Sequence, residues 1–297
     1  MIRFLLLFVL TAASSAFAAD AMVGGMVEYH VVKGDTIEGI GSKLGVKWGR
    51  IVRENGINLN KPLRIGQRIR ANTRKIVPRT VENGIIINIP DRTLYFFKKG
   101  ALAMSFPVGL GIASGRESEP WRTPEGTFRV KNKQKNPKWY VPKSIQKEMA
   151  SKGKYVEHVV QPGPDNPLGK HVIRTTLSGI EIHETIWPSS VYQFRSHGCI
   201  RVLPEDMEKL FKEVGTDTPG EIIYVPVKVA TYDNGRVFLE VHRDVYGKFG
   251  DLNAEARRLI AKAGVSRRVD WQKVDKAVRE KSGIAEDITL SLLRASK

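Results

Sequence analysis

The stretch "GIIINIPDRTLYFFKKGALAMSFPVGLG" (84–111) constrains the fold of this 297-residue chain more than any other. Its apolar residues alternate or run in blocks too short for a helix, and the turn dipeptides Pro90-Asp91 and Lys99-Gly100 divide it into two or three strands. Strands joined by such short turns pair antiparallel, so a sheet begins here. "TFRV" (127–130) and "GIEIHE" (179–184) add strand-like runs, and the segment after Gly220 adds more around an Asn234-Gly235 hairpin. "EDMEKLFKEVG" (205–215) reads as an amphipathic helix with Met207, Leu210 and Phe211 inward and Gly215 as terminator. Beyond Asp251 the period turns helical, with Leu259 and Ile260, then Trp271, Val274, Ala277 and Val278 at helical spacing, as a packing appendage.

The N-terminus has a different character. "MIRFLLLFVLTAASSAFAAD" carries a basic start at Arg3, a short apolar run, and small residues at Ala16 and Ala18, the layout of a signal peptide over 1–18. No later run approaches the ~18 apolar residues of a membrane span, so no transmembrane helix is expected after cleavage and the mature chain is read as exported. The formal charge of +17 suits anionic wall polymers and peptide carboxylates. Its Lys and Arg residues are dispersed, with none of the aromatic-interleaved stripes of nucleic-acid binders, so no nucleic-acid partner is expected.

Residues 28–71 read as a small separate unit. "YHVV" forms a strand, and Asp35 or Thr36 caps a helix bearing Ile37, Ile40 and Leu44, which Gly45 stops. A second helix carries Trp48, Ile51 and Val52 and ends near Asn55-Gly56, and a strand around "QRIR" closes the unit. This βααβ pattern resembles the LysM module, with "V.KGDTI..I...LGV" and "N......L..GQ.I" in register. The resemblance implies binding to N-acetylglucosamine-containing glycan, here peptidoglycan. The polar, basic stretch from Arg70 to Asn83 reads as a linker or surface connection.

One cysteine, Cys199, stands in the whole chain, so an exported protein carries a thiol with no intramolecular disulfide partner. Its neighbours point to reactivity. A thiol attacks a carbonyl as thiolate and needs a base or positive charge to hold a low pKa. His197 lies two residues away, His183 ends a strand-like run upstream, Gly198 permits close backbone approach, and Ser196 offers a hydroxyl. The amides around Gly198 and Cys199 are expected to stabilise an oxyanion. Zinc is a poor fit to these spacings, and neither metal nor cofactor is expected.

"IHETIWPSSVYQFRSHGCIRV" resembles the signature of the YkuD-type L,D-transpeptidase catalytic domain, in which an upstream histidine precedes a Ser/Thr-His-Gly-Cys element. "RTPEGTFRV" (122–130) and "NPLG" (166–169) resemble family elements in the expected order. The resemblance covers about 84–226 and implies Cys199 as nucleophile, His183 as its proton partner, His197 lining the site, and Arg201 holding a substrate carboxylate, with Ser196 as a turn hydroxyl. The family often has glycine after the upstream histidine where this chain has Glu184. Strand alternation turns that side chain away from the site.

The expectation is therefore an α+β chain. A signal peptide (1–18) precedes a LysM module (28–71), a β-rich, mostly antiparallel catalytic domain (84–226), and a C-terminal extension of strands then helices (227–297). The implied activity is periplasmic L,D-transpeptidation of peptidoglycan stem tetrapeptides through a cysteine thioester, forming cross-links or attaching an outer-membrane lipoprotein. Water as acceptor would give an L,D-carboxypeptidase, and a decayed site would leave a glycan-binding protein.

Overall fold

The computed structural model describes residues 22–113 and 121–291; the signal-like segment lies outside the described residues. The N-terminal unit forms β1 (Met26–His30), α1 (Ile37–Leu44), α2 (Trp48–Asn55) and β2 (Arg68–Asn72), with β1 and β2 antiparallel. Its boundaries follow local chemistry. The Thr36 hydroxyl accepts the Gly39 N–H at 3.1 Å and so caps α1, while Gly45 and Gly56 end the two helices in the left-handed region at φ 62° and 60°. Asp35 instead accepts from the Tyr29 hydroxyl and the Val32 N–H.

The central sheet has eight strands. They are β3 (Gly84–Asn88), β4 (Thr93–Lys98), β5 (Ala101–Pro107), β6 (Gly126–Lys135), β7 (His171–Thr175), β8 (Glu181–Glu184), β9 (Ile200–Val202) and β10 (Pro219–Ile223), with spatial order β9-β8-β7-β6-β10-β3-β4-β5. Only the β8–β9 and β10–β3 pairs are parallel, so the mostly antiparallel expectation holds. One face of the sheet buries Ile85, Ile87, Phe128, Ile173, Ile182 and Ile200 with Met207 and Leu210 of an amphipathic helix, α4 (Pro204–Glu213). That helix ends two residues before Gly215, with an extended Val214 at its C-cap in place of a left-handed glycine. A short helix earlier in the chain, α3 (Lys143–Ser151), buries no residue of its own.

The C-terminal part adds the hairpin β11 (Val227–Thr231) and β12 (Val237–Val241) and the helices Leu252–Lys262 and Trp271–Glu280, capped by Asp251 and Asp270. It does not stand apart as an appendage: Ile284, beyond the last helix, packs in the core of the N-terminal unit. The stretch after β2 is likewise not a surface connection, because Asn72, Lys75, Ile76 and Val77 are buried. Polarity misleads there because Lys75 lays its ammonium against the Tyr192 hydroxyl at 3.1 Å. The buried ammonium of Lys228 reaches the Ile76 carbonyl at 2.7 Å, Asp91 at 2.7 Å and Glu240 at 2.9 Å, joining three distant segments. Removing one partner of such a cluster strands a buried charge, a loss of about 3–5 kcal/mol.

The N-terminal unit docks on the rest through α1. The buried Ser42 hydroxyl donates to the Val191 carbonyl at 2.8 Å, and Lys47 donates to the Lys281 carbonyl at 2.7 Å. Val191 and Tyr192 belong to the connection between β8 and β9. Tyr192 is buried with φ 59°, a conformation rare for a bulky side chain. Arg92 holds it there, stacking 3.9 Å from the ring centroid and donating to its carbonyl at 2.9 Å.

Candidate active site

Strand register assembles the site. In the parallel β8–β9 pair, Ile182 lies opposite Ile200 and His183 opposite Arg201. Ile182 and Ile200 face the core, so the alternate residues His183 and Arg201 share the other face. Extending the register one residue before β9 sets Cys199 diagonally from His183 on that face, a spacing that long side chains bridge. Two distant segments of sequence thus meet at one sheet edge.

The loop before Cys199 is closed by hydroxyls. Buried Ser196 accepts the Gly198 N–H at 3.2 Å and donates to the Cys199 carbonyl at 2.6 Å, the turn role expected of it. Gly198 sits at φ 108°, where a Cβ would come within 3.2 Å of the Ile180 side chain, so glycine fits both the backbone and the space. Its N–H is committed to Ser196, which differs from the expectation that it faces an oxyanion. Thr123, in the "RTPEGTFRV" element, donates to the Gly198 carbonyl at 2.9 Å, and its own N–H donates to the Tyr246 hydroxyl at 3.1 Å. Neither Thr123 nor Tyr246 was identifiable as a support for the loop, because their contacts span 75 and 123 residues.

The electrostatics depart from a preformed thiolate. Cys199 is partly exposed as a residue, yet desolvation of the sulfur pushes its pKa up to about 11, and the Glu181 carboxylate acts in the same sense. A hydrogen bond from the Glu181 backbone and the Arg201 charge oppose that rise. Burial also lowers His183 to about 4. Its Nδ1–H donates to the Glu184 carbonyl at 2.7 Å, which leaves Nε2 as the basic nitrogen, and the Pro167 carbonyl favours the charged ring as well. At neutral pH the resting pair is thiol and imidazole.

His197 is engaged away from the sulfur. Its Nε2 lies 2.7 Å from Glu148 on helix Lys143–Ser151, and its ring meets Trp121 edge-on at 4.4 Å. This contact ties a helix without buried residues to the site wall, and nothing local in sequence signals it. The guanidinium of Arg201 lies 5.5 Å from the Trp187 ring, and among the described residues it has no carboxylate partner. Glu184 turns to the opposite face as alternation requires, where its carboxylate pairs with His171 Nδ1 at 3.0 Å. Among the described residues one cluster brings three ligand-type atoms within 4.8 Å, Asp91, Glu240 and His242, and the Lys228 ammonium already bonds both of its carboxylates.

The family model for the L,D-transpeptidase catalytic domain (YkuD) matches residues 82–229, and the model for the LysM domain matches residues 29–72. YcfS of Escherichia coli, described as a probable L,D-transpeptidase, is 30% identical over 239 residues, covering 78% of this chain and 73% of that protein. ErfK/SrfK of Salmonella typhimurium, described likewise, is 27% identical over 278 residues, covering 90% and 88%. Its Escherichia coli counterpart is 29% identical over 222 residues, covering 72% and 69%. The chain belongs to the L,D-transpeptidase family, and its N-terminal unit is a LysM domain.

Proposed function

We propose that this protein is a cell-wall L,D-transpeptidase of the periplasm in which Cys199 is the nucleophile and His183 its proton carrier. The sulfur attacks the carbonyl preceding the terminal D-residue of a tetrapeptide stem while His183 Nε2 takes the thiol proton. The tetrahedral intermediate collapses to a thioester, and the same proton leaves with the released D-amino acid. Arg201, free of carboxylate partners among the described residues, holds a stem carboxylate, and the Cys199 N–H donates to the oxyanion. An amine of a second stem then takes the acyl group. A lysine of an outer-membrane lipoprotein is the alternative acceptor that would make this an anchoring enzyme. The LysM domain holds the glycan strands that present these stems, and the chain reaches them by export through residues 1–18. Among the described residues no helix is long and apolar enough to cross a membrane.

The observation that carries this reading is the shared face of β8 and β9, where His183, with Nδ1 tied to the Glu184 carbonyl, stands diagonally beside Cys199. Its test is mass spectrometry of muropeptides after incubation of the purified protein with sacculi and soluble tetrapeptide. Cross-links between the third residues of two stems are expected. Tripeptides alone would mean that water is the acceptor, and unchanged muropeptides would contradict the reading.

A further inference from the structure

The sheet register that sets His183 near Cys199 sets a second group on the same face. Two residues back from the His183–Arg201 pair, the same register extended sets Glu181 opposite Cys199 on the same face, and on its other side Arg174 of β7 is its antiparallel partner. Lateral neighbours on adjacent strands are ~5 Å apart, and the charge of Glu181 acts on the Cys199 sulfur. Arg174 Nε donates to Oε1 of Glu181 at 2.9 Å and turns another guanidinium nitrogen to Gln134 at 2.7 Å. Among the described residues Arg174 is the bonded partner of this carboxylate, through Oε1 alone, and a quarter of the side chain stays exposed at 25%. Oε2 therefore keeps its acceptor capacity on the face that Cys199 shares.

We propose that Glu181 is the acceptor-binding residue, which draws the ammonium of the incoming amine to the thioester on Cys199 while Arg201 holds a carboxylate of the acyl donor. The inference rests on the proposed transpeptidation. Two charges act on the sulfur, Glu181 negative and Arg201 positive, and the two substrates of such a reaction are a carboxylate-bearing stem and a primary ammonium. An ammonium has no lone pair and must lose a proton before it attacks. One proton passes to Glu181, whose pKa is raised chiefly by burial, and then to solvent. The amine nitrogen forms its bond to the acyl carbon as the C–S bond breaks, and its second proton returns to the sulfur by way of His183. The same charge explains a resting cost: Glu181 opposes the thiolate.

The test compares two acceptors on the full chain acylated by soluble tetrapeptide. Nα-acetyl-lysine offers a cationic amine, and hydroxylamine is uncharged at neutral pH. Glu181→Gln is expected to raise KM for Nα-acetyl-lysine at least tenfold. Its KM for hydroxylamine should rise far less, and D-residue release in the acylation step should not slow, since glutamine removes the charge that opposes the thiolate. Arg174→Met, which keeps the carboxylate, is expected to retain the wild-type preference for the cationic acceptor. Equal loss with both acceptors, no loss with Nα-acetyl-lysine, or a loss in Arg174→Met matching that of Glu181→Gln would overturn the inference and leave the acyl-enzyme chemistry standing. A wild-type protein that never forms an acyl-enzyme would overturn the proposed function and this inference together.

Discussion

Cys199 and His183 rest as a neutral pair, and that state has measurable consequences. With the thiol raised to about 11 by burial, alkylation by iodoacetamide is expected to climb with pH through and beyond the range of an ordinary thiol, with no low-pH plateau. The sequence reading assigned Cys199 the low pKa of an activated thiolate, because adjacent histidines usually signal one. Sequence adjacency cannot report that His197 is spent on Glu148 or that the charge of Glu181 acts on the sulfur. A pH–alkylation midpoint below 8 would contradict the neutral resting pair. His183 adds a stability signature. Its folded pKa of about 4 lies below the ordinary 6.5, so as pH falls between those values the unfolded chain binds a proton that the native chain refuses. Stability should therefore fall as pH drops from about 6.5 toward 4, and buried His242, also held low by burial, acts in the same direction. In thermal melts across that window, His183→Gln is expected to flatten the slope. An unchanged slope would mean that the imidazole is not buried in its neutral form.

At the scale of elements, alternation along β8 separates two adjacent residues with different tasks. His183 faces the site and Glu184 the other side, where its carboxylate meets His171 and its methylenes pack against Gly169, on which a Cβ would come within 2.7 Å. Glu184→Gly is expected to destabilise the protein by about 1–3 kcal/mol, through loss of a buried hydrogen bond and a strand side chain. It should move the pH dependence of Cys199 alkylation by less than about one pKa unit. A large alkylation shift with little change in melting temperature would contradict this division of faces. This much was legible in sequence, as were the caps of α1 and α2, because both depend on neighbours within a turn or a two-residue period. The C-terminal stop of α4 was not, since Gly215 looks like a cap only until the chain's next packing contact is known.

Across the whole molecule, the LysM domain behaves as part of the catalytic body. Ser42 on α1 grips the connection between His183 and Cys199 at Val191, and Lys75 and Arg92 clamp Tyr192 in its left-handed conformation. Sequence patterning isolates residues 28–71 as a unit because their local periodicity is self-contained. The contacts that dock the unit join residues 149 and 234 positions apart and leave no periodic trace. Deleting 28–71 is therefore expected to lower the melting temperature and to reduce kcat/KM on soluble tetrapeptide at least tenfold, along with binding to sacculi. Full turnover of soluble tetrapeptide by the truncated protein would show that the domain is only a tether.

The central claim, that two strands deliver a thiol and its proton carrier to one substrate carbonyl, is tested most directly by intact-protein mass spectrometry after brief incubation with soluble tetrapeptide. A covalent adduct equal to the tetrapeptide less its terminal D-amino acid is expected, located by digestion to the peptide containing Cys199. The adduct should form slowly in His183→Gln and be absent in Cys199→Ala. An adduct that persists in Cys199→Ala, or turnover of tetrapeptide by that variant, would contradict it.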